Sequence, residues 1–156
     1  KMDIYEAYSE IKKIKDVRQF TGILYGLSFV GVALFFTMML GGDFTDCMVA
    51  GIAGLAMAVT QWVLTPFGFN SFFLNMISTL SMALTAVGFK KFFLPGINID
   101  LVIIGGIMPI VPGVVFTTAM RDTLNGDYTA GVSRMLETGV VAFAVAVGVA
   151  LAYVIL

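Results

Sequence analysis

An all-α, polytopic membrane fold is predicted by three properties of the chain. It is 59% hydrophobic and only 12% charged over 156 residues, where a soluble domain carries about 25% charged residues. Its mean hydropathy is +0.97, more apolar surface than a water-soluble fold of this length can hide, so lipid must be the solvent. The apolar residues fall into about five runs, each near the ~20 residues a helix needs to cross ~30 Å of hydrocarbon.

Residues 1–19 come first. Ile4, Ala7, Tyr8, Ile11 and Ile14 recur at three- and four-residue spacing with Lys and Glu between them, the pattern of an amphipathic helix. It reads as a helix on the cytoplasmic membrane surface or as a connector to upstream sequence. The chain starts at Lys1 and shows no cleavable leader pattern, so further sequence before it, up to a whole domain, is expected.

Five spans are then expected, over about 20–40, 46–65, 71–89, 99–120 and 130–156. Gly41-Gly42-Asp43 ends the first with turn chemistry, and Pro66 with Phe67-Gly68-Phe69-Asn70 closes the second. Lys90-Lys91 ends the third, and Leu94-Pro95-Gly96-Ile97-Asn98 is a loop. The fourth is broken by Pro109 and Pro112-Gly113. Small residues recur every fourth position at Gly22 and Gly26, at Ala50, Gly54 and Ala58, and at Ala144, Gly148 and Ala152. Such ridges let helix backbones approach closely in lipid. With the N-terminus in the cytoplasm, that side carries Lys1, Lys12, Lys13, Lys15, Arg18, Arg121 and Arg134, against Lys90 and Lys91 opposite. Seven against two predicts N-in and C-out. Lys90 and Lys91 dissent; they either snorkel or face a partner or an anionic substrate.

Several function classes have no support. Net charge is −1, which gives no sign of nucleic-acid binding. The chain has no His, the commonest metal ligand and acid–base catalyst. Cys47 is its one cysteine and reads as a small apolar residue. No Walker loop, dinucleotide-binding motif, CxxC pair or nucleophile–base pair stands in the sequence. No metal, cofactor or catalytic residue is implied, and the chain does not read as an enzyme.

The stretch richest in chemistry is Gly105-Gly106-Ile107-Met108-Pro109-Ile110-Val111-Pro112-Gly113. Two prolines inside an apolar run remove two amide donors, and each ring clashes with a preceding carbonyl. In hydrocarbon the freed carbonyls need partners. Either the helix merely kinks, or it breaks and restarts after Pro112-Gly113. The restart would point free amides at a carboxylate, as broken helices do in transporters. On the next helix Thr117 shares a face with Arg121, and Thr118 with Asp122. Pro109, Pro112, Gly113, Thr117, Thr118, Arg121 and Asp122 are therefore the substrate-binding candidates, with Arg121 suited to a two-pronged bond to a carboxylate. Arg121 and Asp122 read equally as markers of the membrane interface. Arg134 and Glu137 open the last span on one face. Glu137 would pair with Arg134, pair with Arg121, or relay a proton. Asn75, Ser78 and Thr79 form a polar side of the third span that lines an aqueous path or bonds to neighbouring helices.

The run GGIMPIVPGVVFTTAMRDTLNGDYTAGVSRMLETGVVAFAVAVGVALA resembles the membrane part of the threonine/serine exporter family, ThrE-like. The positions that carry the likeness are Pro112-Gly113, Arg121-Asp122, Gly126-Asp127 and Arg134. The resemblance implies a secondary exporter of small hydrophilic metabolites, threonine and serine in some members and dicarboxylates such as succinate in others. It implies the cytoplasmic (plasma) membrane of a prokaryote, and a cytoplasmic domain ahead of the spans. It also implies two membrane halves, fused or split. This chain resembles the first half of the split type, which calls for a small second membrane chain and allows a higher oligomer. A non-transporting scaffold or regulatory subunit and a passive channel are the alternative readings.

Overall fold

The computed structural model describes residues 22–156. The amphipathic segment expected over 1–19 lies outside the described residues. Six α-helices follow: α1 (Gly22–Met39), α2 (Phe44–Leu64), α3 (Ser71–Phe92), α4 (Ile99–Ile107), α5 (Gly113–Leu124) and α6 (Tyr128–Ile155). Four of them, α1, α2, α3 and α6, are long and apolar enough to cross a membrane.

The helix boundaries follow from local chemistry. Gly41 takes φ +90°, open to glycine at little cost, and turns α1 into α2. The Asp43 amide donates to Asp46 Oδ2 at 3.1 Å, and Asp46 Oδ1 accepts from the Asn98 amide at 3.0 Å. One buried carboxylate thus fixes the start of α2 and the loop before α4. After α2, Thr65–Phe67 tightens into a 3-10 turn with Pro66 in its first turn. The Asn70 side chain caps α3 through the Phe72 amide. α3 runs past the expected end at 89 and takes in Lys90 and Lys91, where cations favour the negative end of the helix dipole.

The core lies among α1, α2, α3 and α4, around Phe29, Ala33, Val49, Met57, Met82 and Val102. The small-residue ridges of α2 and α6 are buried as expected: Ala50, Gly54 and Ala58, then Ala144, Gly148 and Ala152. A Cβ on Gly54 would stand 2.9 Å from the Phe29 carbonyl oxygen, and one on Gly148 would stand 2.6 Å from that of Met76. These are backbone-to-backbone crossings, which is what small residues permit in lipid. Gly105 of α4 makes a third such crossing, against Thr37 and the Ala33 carbonyl of α1. Gly22 and Gly26 instead line an apolar groove beside Leu55 and Trp62.

The expected fourth span is two separate helices. α4 has nine residues and α5 twelve, about 14 Å and 18 Å long, so neither crosses the bilayer alone. α4 packs into the bundle, whereas α5 packs against α6. α3 and α6 run parallel. The Lys91 ammonium donates to the Leu156 carbonyl at one end, and Phe143 stacks on Phe72 toward the other. The first three turns of α6 therefore continue past the start of α3. With α5 beside them they form a hairpin that projects from the bundle, and Gly131 sits against Ala119 and Thr123.

Candidate functional site

The break between α4 and α5 sits at the end of the bundle where α1 begins. The Met108 amide donates to the Gly105 carbonyl at 3.4 Å, and the Ile107 carbonyl accepts from Ile110 at 3.0 Å and Val111 at 3.3 Å. The Gly113 amide then closes a tight turn on the Val111 carbonyl at 2.8 Å, over Pro112 at φ −81° and ψ 53°. That is the inverse γ conformation, which suits the fixed φ of proline. Among the described residues the carbonyls of Met108, Pro109 and Ile110 accept no backbone amide.

A cavity of about 320 Å³ opens against this break. Tyr25 of α1, Gln61 of α2 and Asn75 of α3 give it a polar wall, and Pro109, Pro112 and Val141 face them. The Tyr25 hydroxyl donates to Gln61 Oε1, and Gln61 Nε2 donates to Asn75 Oδ1 at 3.5 Å. Three helices are thereby joined through one buried amide. Phe29 packs on the Tyr25 ring with centroids 4.8 Å apart and holds it in place. Among the described residues no Asp, Glu, Lys or Arg lines the cavity. The opposite side of the break faces an apolar cavity of about 510 Å³ lined by Ile107, Val111, Ala142 and Ala146.

The expected site residues divide between this cavity and the hairpin. Pro109, Pro112 and Asn75 border the cavity, and Gly113 begins α5 beside it. Ser78 and Thr79 are fully buried. The Ser78 hydroxyl donates to the Leu74 carbonyl at 2.7 Å. The Thr79 hydroxyl lies buried without a hydrogen-bond partner, where Gly148 of α6 crosses α3. Thr117 and Thr118 both donate to the Val114 carbonyl of their own helix, at 3.0 and 2.7 Å. Their hydroxyl protons are therefore already engaged.

The ionic groups stand on the hairpin. Arg134 Nη1 meets Asp122 Oδ2 at 2.8 Å, a pairing distinct from either partner expected for Glu137. Arg121 and Glu137 are exposed, and neither makes an ion pair among the described residues. Glu137 lies within the last membrane-length helix, on the part of α6 that extends past the start of α3. Gly126 and Asp127 build the turn. Gly126 takes φ +89°, and Asp127 Oδ1 caps α6 by accepting from the Ala130 amide at 3.1 Å. Among the described residues no group of three His, Cys, Asp or Glu is placed to hold a metal.

Tyr25 and Gln61 were not singled out by the sequence. Their signal was a lone Tyr and a lone Gln in otherwise apolar runs. Their partnership exists only once α1, α2 and α3 are assembled.

The family model described as "Putative threonine/serine exporter" (ThrE) matches residues 1–156. Searches of curated proteins and of solved structures returned no match.

Proposed function

As the chain belongs to the threonine/serine exporter family, we propose that it is one membrane subunit of a secondary exporter of small hydrophilic metabolites. Threonine, serine or a dicarboxylate such as succinate is the cargo, and a second membrane half, supplied as a separate small chain, completes the carrier. The observation that supports this most is the polar cavity at a true helix break, one turn inside the bundle. Irregular backbone is tolerated at such depth where it lines a cavity or is buried in protein. Carriers place substrate sites at such breaks.

In this reading the chain sits in a prokaryotic plasma membrane with its N-terminus inside. The hairpin of α5 and α6 then stands at the cytoplasmic face, and Arg121 receives the carboxylate of incoming cargo. Arg121 lies nine residues beyond Pro112 on α5, about 13 Å along the axis. A ligand as small as serine touches the two in succession rather than together. Alternating exposure of the cavity to each side moves the cargo outward, with Glu137 as the candidate proton carrier.

The test is efflux from loaded proteoliposomes containing this chain alone or with its small membrane partner, under an imposed pH gradient. Efflux of threonine, serine or succinate only with both chains present is expected. A folded, assembled complex that exports none of the three would overturn the reading in favour of a scaffold.

A further inference from the structure

Among the described residues three helical glycines lie across a threonine of another helix: Gly105 on Thr37, Gly131 on Thr123 and Gly148 on Thr79. The first two crossings share one seat. A Cβ on the glycine would meet the threonine hydroxyl, the threonine amide nitrogen and the carbonyl oxygen four residues earlier, that of Ala33 or Ala119. In both, the hydroxyl donates to that carbonyl, at 2.8 and 2.9 Å. Gly148 is seated differently. The atoms nearest its Cβ position are the Met76 carbonyl oxygen at 2.6 Å, Thr79 Cβ at 3.0 Å and the Leu80 amide nitrogen at 3.1 Å. Met76 and Leu80 form the next hydrogen-bonded step of α3, so α6 sits one residue out of the register used at the other two crossings. The Thr79 hydroxyl, at 0% exposure, has no hydrogen-bond partner among the described residues, although the Asn75 carbonyl stands one turn back. A buried hydroxyl left unmet is costly.

From this comparison we infer that the α3–α6 crossing is a joint with two seats. One is the seat just described. In the other, Gly148 lies over the Thr79 amide and the Asn75 carbonyl, and the Thr79 hydroxyl is bonded as those of Thr37 and Thr123 are. The step between seats is one residue on α3, about 1.5 Å of axial rise, the scale on which packed helices slide past each other. Ala144, Gly148 and Ala152 suit such a joint, because they give α6 a buried face with no long side chain to lock into α3. The unmet hydroxyl raises the described seat toward the other in free energy, as a two-state element requires. The role of the joint in transport rests on the exporter reading above and deepens it. α6 packs on α5, which begins at the break, and Asn75 of α3 borders the cavity there. The step is thus a means of exposing that cavity alternately. Thr79 is a positioning residue, since it acts through the seat of α6.

The experiment uses the full chain in lipid nanodiscs, with Val140→Cys in a Cys47→Ser background carrying a trifluoromethyl tag read by fluorine NMR. Val140 is 52% exposed and lies on α6, two turns before Gly148. The tagged parent is expected to give two resonances, one for each seat. Thr79→Val keeps the side-chain shape and removes the hydroxyl; it should reduce the second resonance at least about fivefold, the worth of one hydrogen bond. Thr79→Ser keeps the hydroxyl and should keep both resonances. A single resonance in the parent, or two whose ratio Thr79→Val leaves unchanged, would overturn the inference. In proteoliposomes of the two-chain complex, Thr79→Val should lower export turnover several-fold at unchanged KM, with Thr79→Ser near wild type. Unchanged turnover in an assembled Thr79→Val complex would overturn the role of the joint in transport. Two resonances that respond to Thr79→Val, in a chain whose wild-type complex exports nothing, would sink the exporter reading and leave the joint standing.

Discussion

The Asp122 carboxylate of α5 and the Arg134 guanidinium of α6 meet at 2.8 Å across a hairpin turned by Gly126. Both residues belong to positions that the family resemblance marks. Their side chains are 18% and 45% exposed, so water screens the pair and its worth is about 0.2–1 kcal/mol. Asp122→Ala and Arg134→Ala, alone and together, should show coupling of that size in thermal unfolding in detergent. Coupling near zero would leave the hairpin to the close backbone packing of Gly131 against Ala119 and Thr123.

Gly148→Ala places a methyl 2.6 Å from the Met76 carbonyl oxygen, where backbone must shift. Destabilisation of about 1–3 kcal/mol is expected. Gly139 on the same helix has open space around it, and Gly139→Ala should gain up to about 1 kcal/mol from helix propensity. Paired melting curves of the two variants check the contrast.

Asp46→Ala removes the acceptor for the Asn98 and Asp43 amides. A loss of about 1–3 kcal/mol follows from the unmet donors. Asp46→Asn keeps one acceptor oxygen and should lose less. Hydrogen exchange at the Asn98 amide should rise sharply in the alanine variant and modestly in the asparagine one.

Arg121→Ala should leave stability within about 0.5 kcal/mol, as for an exposed residue without a buried role. Export by the assembled complex should nevertheless fall at least tenfold if Arg121 receives the carboxylate. Loss of assembly with the second chain would make Arg121 an interface residue instead.

Gly96 lies in the exposed loop between α3 and α4. In a Cys47→Ser background, Gly96→Cys should react with a membrane-impermeant maleimide added to intact cells, as the N-in orientation requires. Labelling only after the membrane is opened would invert the topology.

The helices that cross were legible in the sequence because hydropathy and turn chemistry are local signals. Pro66, Asn70 and Gly41 all mark boundaries near where they were read. The break was legible for the same reason: prolines at 109 and 112 act on their own backbone. Its depth was not. The position of Pro109 beside Tyr25 and Gln61, rather than at mid-bundle, depends on how α4 seats against three other helices. The ionic pairing was hidden likewise. Helical spacing put Arg134 near Glu137, but the turn at Gly126 brings α5 alongside and offers Asp122 at better geometry. Ser78 and Thr79 looked like one polar stripe with Asn75. Burial against α6 separates them from the cavity that Asn75 borders.

α6 runs unbroken for 28 residues, about 42 Å. At one end Gly148 clamps it to α3, and near the other Gly131 clamps it to α5. Its later part lies along α3 from Phe143 to Leu156, and its first turns carry α5. One continuous helix is therefore the tie between the bundle and the projecting hairpin, so the position of the Asp122–Arg134 pair is set by how α6 seats on α3.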